Sequence, residues 1–155
     1  MYLSKENQMF LFLKILRKRV FLPVILIVIL ISCTKCTKDD RHPVPYYPVD
    51  FIVNIESTRN IELNSIGGWA YYTGGFRGII IYRAQEDEFT AFDRACPYHP
   101  YSECRIIVED PPLARGSDCE SVFLLLDGSP VSGPSKHPLR AYRTSFSYPY
   151  LHVTN

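Results

Sequence analysis

The chain has 155 residues, 17 Lys+Arg and 16 Asp+Glu, and 46% of its residues are hydrophobic. This length suits one domain with appended segments, and the hydrophobic share is sufficient for a packed core. Residues 1–32 hold five basic side chains and one acidic one, so 12 basic and 15 acidic side chains remain for residues 33–155. The body is therefore mildly acidic and has no Lys/Arg-rich run, which excludes a nucleic-acid-binding protein.

The chain begins with a basic segment and an apolar run. Arg17–Arg19 precede the twelve-residue run Val20–Ile31, which is short for a membrane span of about 20 residues. The run ends in Leu30-Ile31-Ser32-Cys33, which resembles the lipobox of bacterial lipoproteins. The resemblance implies a signal peptide over residues 1–32, a diacylglyceryl group on Cys33, and a protein anchored in the cell envelope on the periplasmic or surface side. The alternative is an uncleaved signal anchor, which Arg17–Arg19 would hold on the inner side.

Residues 33–49 are polar and then rich in proline, which predicts a flexible tether between the lipid and the body. Cys36 lies within it, three residues from Cys33, and we interpret it as a bystander; a second acylation site or a pairing partner are the alternatives. His42 is isolated in sequence and is expected to be solvated.

The body, residues 50–155, reads as short strands separated by turns. Strands are predicted at 51–55, 69–72, 78–82, 89–92, 105–108, 122–126, 139–143 and 150–153, with a half-buried strand or turn at 61–66. The continuous apolar run at 78–82 is typical of a strand that is buried on both faces. Asp127-Gly128 predicts a hairpin turn. Because no twelve-residue window has a helical period, about ten short strands in an all-β barrel or sandwich are expected.

Four motifs follow one another in the body. They are Gly75-x-x-Gly78-Ile79-Ile80-Ile81-Tyr82-Arg83, Ala91-Phe92-Asp93-x-x-Cys96-Pro97, Cys119-x-Ser121-x-Phe123-x-x-x-Asp127-Gly128 and Gly133-Pro134-Ser135-x-x-Pro138-Leu139-x-x-Tyr142. Their order and spacing resemble those of a Rieske-type domain over residues 50–155. The resemblance implies an antiparallel β-sandwich or barrel in which two loops form a tip that holds a 2Fe–2S cluster through two Cys and two His. Gly133 and Pro134 would lie in a cover loop over that tip.

The ligand positions depart from the family pattern, which is C-x-H in the first loop and C-x-x-H in the second. Here the first loop reads Cys96-Pro97-Tyr98-His99, with one extra residue, and no His follows Cys119 within reach. If Cys119 is the ligand Cys of the second loop, Val122 stands at the His position. If Ser121-x-Phe123 sets the register, Cys119 takes the His position and Gly116 replaces the Cys. We favour the second register because it also aligns the two later motifs.

The resemblance leaves three hypotheses for Cys96, His99, Cys104 and Cys119. The first, which we favour, is a cluster-free domain in which a Cys104–Cys119 or Cys96–Cys119 disulfide bridges the two loops, because an oxidising envelope pairs nearby thiols. The second is a nonstandard 2Fe–2S or iron site, and the third is a zinc site with a Cys₃His ligand set.

These hypotheses predict a membrane-anchored lipoprotein whose domain serves as a disulfide-stapled interaction module for an envelope protein. The alternative is an electron-transfer protein with a nonstandard metal site. No enzymatic reaction is expected. A hydrolase based on Cys96 and His99 would need an orienting third group, and the sequence offers none that is evident.

Overall fold

The computed structural model describes residues 42–155, so the predicted signal peptide, Cys33 and Cys36 lie outside the described residues. No helix within residues 42–155 is long and apolar enough to cross a membrane. The described part contains ten strands and one short 3₁₀ helix (Thr58–Asn64). The strands are β1 (Asp50–Asn54), β2 (Trp69–Tyr72), β3 (Ile79–Arg83), β4 (Phe89–Asp93), β5 (Ile106–Asp110), β6 (Leu113–Gly116), β7 (Val122–Leu124), β8 (Pro130–Ser132), β9 (Ala141–Ser147) and β10 (Tyr150–Thr154).

The strands form two antiparallel sheets. The larger sheet has six strands in the order β1-β10-β9-β4-β3-β2, and the smaller has four in the order β5-β6-β7-β8. The smaller sheet is a meander inserted between β4 and β9, two neighbours of the larger sheet. The predicted all-β antiparallel architecture is therefore confirmed.

Strand β3 lies between two hydrophobic cores, and all five of its residues are buried. Ile80 and Tyr82 belong to a core shared with the smaller sheet, where they pack with residues such as Phe123. Ile79 and Ile81 belong to a second core that includes residues of β1 and β10. Because successive side chains of a strand point to opposite faces, β3 contributes to both cores. The prediction that this run is buried on both faces is confirmed.

The segment at 61–66, where the sequence favoured a half-buried strand or turn, is mostly 3₁₀ helix. Its alternating pattern does not produce two faces of a strand, since Leu63 is fully buried but Ile61 and Ile66 are exposed. The buried guanidinium of Arg83 donates hydrogen bonds to the carbonyl oxygens of Leu63 (3.0 Å) and Asn64 (2.9 Å). The hydrogen bonds to these two carbonyls are thus donated by a side chain and not by a neighbouring strand.

The last residues of the predicted tether pack against the folded body. Val44 is fully buried, and its carbonyl accepts a hydrogen bond from Nε of Arg140 (2.8 Å). His42, which the sequence left isolated, accepts the N–H of Val44 at Nδ1 (3.1 Å) and contacts the carbonyl oxygen of Pro138 through Nε2 (2.9 Å). Residues of the predicted tether directly before β1 are therefore part of the packed structure.

Candidate functional site

The first cysteine loop, residues 96–104, leaves the end of β4 and returns to the start of β5. Its base is closed by a β-bridge between Ala95 and Arg105. Because these two residues are paired, the residues next to them, Cys96 and Cys104, are brought side by side at the two ends of the loop. Seven residues separate the two cysteines in the sequence. This spacing alone did not indicate that the ends of the loop meet.

The buried carboxylate of Asp93 fixes the start of this loop. Asp93 is fully buried at the end of β4. Its two oxygens accept hydrogen bonds from the N–H groups of Ala95 (2.8 Å), Arg77 (3.2 Å) and Phe76 (2.5 Å) and from the hydroxyl of Tyr142 (2.7 Å). A buried carboxylate is stable only when its oxygens are satisfied in this way. Asp93 stands in the second of the four motifs, and the sequence signal for its role is an acidic residue directly after a buried strand.

The second cysteine loop connects β6 to β7 and carries Cys119. The N–H of Gly116 donates to the carbonyl oxygen of Ser121 (2.9 Å), which closes the loop. The two loops are also joined to each other, since the N–H of Ser117 donates to the carbonyl oxygen of Arg105 (2.9 Å) and Oγ of Ser117 accepts the N–H of Arg105 (3.1 Å). The loops therefore form one backbone-bonded unit at one end of the smaller sheet.

Three sulfur atoms meet where the loops join. The ligand atoms of Cys96, Cys104 and Cys119 all lie within 4.8 Å of one another. The three residues are 0%, 2% and 7% exposed, respectively. The Sγ atoms of Cys96 and Cys119 are 2.7 Å apart. Of the four candidate residues, Cys96, His99, Cys104 and Cys119, the three cysteines come together here.

Gly116 makes the close approach of the sulfurs possible. A Cβ atom at this position would lie 3.1 Å from Sγ of Cys104 and 3.5 Å from Sγ of Cys96, and it would collide with Sγ of Cys119. The backbone of Gly116 thus forms one wall of the sulfur cluster. Position 116 faces the sulfurs, as expected from the register that places it at a family ligand position.

His99 does not join the cysteines. It is exposed on the first loop, where its ring packs on that of Tyr98 at 4.1 Å between centroids. The other described histidines are also elsewhere: His42 contacts Pro138, His137 is exposed, and Nε2 of His152 lies 2.6 Å from a carboxylate oxygen of Asp50. Within residues 42–155, the group of converging ligand atoms is therefore the three cysteines alone.

The predicted cover loop packs directly on the second cysteine loop. Gly133 has a φ of +89°, and a Cβ there would lie 2.6 Å from the carbonyl oxygen of Glu120 and from Cα of Ser121. Next to it, the N–H of Ser135 donates to the buried Oγ of Ser121 (3.1 Å). The segment with Gly133 and Pro134 thus lies against the backbone that follows Cys119.

Hydrogen bonds, rather than burial, make the pKa of Cys119 differ from those of the other two thiols. Burial strongly raises the pKa of Cys96, and a hydrogen bond with Cys119 raises it further. Burial also raises the pKa of Cys104. Burial acts in the same direction on Cys119, but hydrogen bonds from Cys96 and Ser121 outweigh it and lower the pKa of that thiol. The contact with Cys96 thus favours the thiolate form of Cys119.

These residues do not fit the 2Fe–2S cluster implied by the family resemblance. That cluster needs four protein ligands, two of them His, whereas the described residues bring three cysteines together. Two thiolates bound to one metal ion at about 2.3 Å in a tetrahedral arrangement lie about 3.8 Å apart. At 2.7 Å, the Cys96 and Cys119 sulfurs as placed are about 1 Å too close for both to be bound to one metal ion.

Comparison with known proteins gives structural neighbours only. No protein-family model matches the chain, and no curated protein matches its sequence. One solved structure it is similar to is the ferredoxin of carbazole 1,9a-dioxygenase from Nocardioides aromaticivorans IC177, with 14% identity over 70% of this chain and 97% of that chain and a TM-score of 0.48. Another is a complex of reduced oxygenase and oxidized ferredoxin in carbazole 1,9a-dioxygenase, with 20% identity over 57% of this chain and 81% of that chain and a TM-score of 0.44. With both scores below 0.5, the all-β antiparallel fold is established by the strand pairing itself.

Proposed function

We propose that this protein is a lipid-anchored accessory module of the bacterial cell envelope, and that a Cys96–Cys119 disulfide fixes the shape of its Rieske-like interaction tip. The observation that carries the proposal is the 2.7 Å contact between sulfurs from two different loops. A disulfide bond, at about 2.05 Å, needs only a small further approach. In an oxidising envelope, two buried thiols in contact are expected to be joined.

The disulfide would hold the tip in one conformation. The residues between Cys96 and Cys119 include both loops and the hairpin of β5 and β6. By the loop-entropy estimate, closing a loop of about 24 residues stabilises the fold by about 3 kcal/mol. Once joined, Cys96 and Cys119 are structural, because a buried disulfide offers no accessible thiolate. No reaction of its own is assigned to the protein.

Exposed aromatic rings beside the first loop supply the contact surface. Tyr101 is 74% exposed, and its ring packs on Phe76 at 5.8 Å, which in turn packs on Tyr47 at 5.7 Å. Tyr98 is also exposed on the same loop. Tyrosines with one free face are enriched where proteins bind other proteins. The partner class that fits is an envelope protein with an apolar recess.

Site-specific cross-linking tests this function. A photoreactive phenylalanine analogue at Tyr101 should join the protein to one discrete envelope partner in living cells. The same analogue at Ile61, which is exposed in the 3₁₀ helix, should not. Cys96→Ser should abolish the Tyr101 cross-link, because the tip is then no longer fixed by the Cys96–Cys119 disulfide. Equal cross-linking at both positions, or a Tyr101 cross-link that survives Cys96→Ser, would refute the proposal.

Electron transfer through an iron site of three thiolates is the second candidate. It is favoured by one observation, the third buried sulfur of Cys104 within 4.8 Å of the other two. Iron bound to thiolates absorbs visible light, so anaerobically purified protein would be coloured and contain iron. Colourless, iron-free protein with one free thiol among the three cysteines would favour the stapled module.

A further inference from the structure

We propose that the three cysteines, when reduced, bind one Cu(I) ion, and that formation of the Cys96–Cys119 bond releases it. The inference rests on the proposed function because it uses the same sulfur pair in its other oxidation state. Two of the three ligands of the reduced site are the two partners of the disulfide. Metal binding and stapling are therefore mutually exclusive states of one site.

The inference rests on the position of Cys104. A disulfide between Cys96 and Cys119 uses two sulfurs, but Cys104 is buried at the same point with its sulfur within 4.8 Å of both. All three belong to the hydrophobic core that includes Ile106, Phe123 and Leu139. A structural disulfide alone does not require a third sulfur there. Three converging sulfurs are the ligand set of a thiophilic ion.

The number of ligands selects Cu(I) among the thiophilic ions. Zinc and iron in sulfur sites take four ligands in a tetrahedral arrangement, whereas Cu(I) is satisfied by three soft thiolates in a plane. Within residues 42–155 no His, Asp, Glu or further Cys joins the three sulfurs. The side chains of Ile106, Phe123 and Leu139, which pack with the three cysteines, offer no fourth ligand atom.

The site can open to the required size by side-chain rotation. Three thiolates around one ion at about 2.3 Å lie about 4 Å apart, a separation close to the 4.8 Å within which the three already lie. The Cys96 and Cys119 sulfurs, now 2.7 Å apart, would separate by about 1 Å. Cu(I) replaces the thiol protons, which leave with bulk water.

Oxidation reverses the binding. When Cys96 and Cys119 form their S–S bond, two thiolates lose two electrons in total; a disulfide oxidant such as oxidised glutathione accepts them, takes up two protons from water and becomes two thiols. Cu(I) keeps its oxidation state and loses two of its three ligands. A single remaining thiolate, Cys104, does not hold it.

Competition with a Cu(I) chelator tests the inference. The full chain, carrying Cys33→Ser and Cys36→Ser so that only the three cysteines remain, is titrated anaerobically against the Cu(I) complex of bathocuproine disulfonate. We expect the reduced protein to take one Cu(I) per chain and the oxidised protein to take none. Cys104→Ala should bind Cu(I) at least tenfold more weakly. A loss of less than tenfold, or equal binding by the oxidised protein, would overturn the inference.

Two further measurements separate this inference from the proposed function. Under oxidising conditions Cys104→Ala should still form the Cys96–Cys119 bond. Absence of this bond would count against the proposed disulfide, whereas absence of Cu(I) binding by the reduced protein would count against the metal site. If Cys104→Ala does not unfold cooperatively, it is not properly folded, and X-ray absorption spectroscopy of the unsubstituted protein with bound Cu(I) replaces the comparison. Three sulfur neighbours of copper support the inference, and two or four contradict it. Stronger retention of Zn²⁺ than of Cu(I) would also contradict it.

Discussion

The hydroxyl of Tyr142 in β9 donates a 2.7 Å hydrogen bond to the buried carboxylate of Asp93 at the end of β4. Burial, together with this hydrogen bond, strongly raises the pKa of Tyr142, so the hydroxyl stays protonated as a donor. Gly75, with a φ of +61°, passes so close that a Cβ there would collide with both groups. The loop of Gly75, the end of β4 and β9 are thus fixed to one another next to the first cysteine loop.

Replacement of Asp93 by Asn should destabilise the protein by about 3 kcal/mol. An amide has one acceptor oxygen, whereas the three N–H groups and one hydroxyl around Asp93 need both carboxylate oxygens. Urea unfolding followed by tryptophan fluorescence measures the loss. Tyr142→Phe, which removes one donor only, should cost about 1 kcal/mol.

The exposed Asp87 provides the matched control for Asp93. Asp87→Asn removes the same charge from the surface and should change the free energy of unfolding by less than about 0.5 kcal/mol. Similar losses for Asp93→Asn and Asp87→Asn would show that the buried carboxylate does not organise the loop.

Gly116→Ala should destabilise the fold by about 2 kcal/mol, the usual cost of overpacking a filled site. The added methyl group would collide with the Cys119 sulfur and press on that of Cys104. It should also slow formation of the Cys96–Cys119 bond during oxidative refolding, because it separates the two sulfurs. Arg115→Ala, at an exposed neighbour in the same strand, should leave both the stability and the oxidation rate unchanged.

The partly buried His42 should make stability depend on pH. Burial lowers the pKa of His42 below its ordinary value of 6.5. The unfolded chain therefore binds the proton more readily than the folded chain, so stability that is present above about pH 6.5 is lost as the pH falls below it. In His42→Gln, the free energy of unfolding should depend less steeply on pH between about 6.5 and 5.

The exposed His99 provides the control substitution. His99→Gln should keep the pH dependence of the unsubstituted protein. An unchanged pH profile in His42→Gln would contradict the packing of residues 42–48 against the body.

Cys33 tests the membrane anchor, which lies outside the described residues. Cys33→Ala should abolish incorporation of a labelled fatty acid and leave the precursor uncleaved, because the transferred lipid needs the thiol. Cys36→Ala should leave the labelling unchanged. Retained labelling in Cys33→Ala would refute the assignment of the lipid site.

The local sequence pattern predicted those strands in which burial requires apolar residues at regular positions. The β3 run is apolar at every position because both faces are covered, and Asp127-Gly128 marks a turn in which Gly128 has a φ of +77°. Strands β6 and β8 were missed. They are three to four residues long, and β8 begins with Pro130, which cannot donate to a sheet and argues against a strand unless the strand lies at an edge.

The sequence identified the cysteines of the candidate site but not which two of them form the closest pair. The order of motifs around Cys96, Cys119 and Gly133 was enough to place two loops at one tip. The sequence left Cys96–Cys119 and Cys104–Cys119 as equal alternatives, because the choice depends on the Ala95–Arg105 bridge, the close approach at Gly116 and the side-chain directions. The position of His99 could not be predicted either: its ring is exposed and packs on that of Tyr98.

The most direct test is to map the cysteines of the protein as it is isolated from the cell envelope. Cells are lysed in denaturant with iodoacetamide so that buried free thiols are also blocked, and peptides are then analysed by mass spectrometry without reduction. We predict one linked peptide pair that joins Cys96 to Cys119, with Cys104 alkylated. Alkylation of both Cys96 and Cys119, or a bond from Cys104 to either of them, would contradict this prediction.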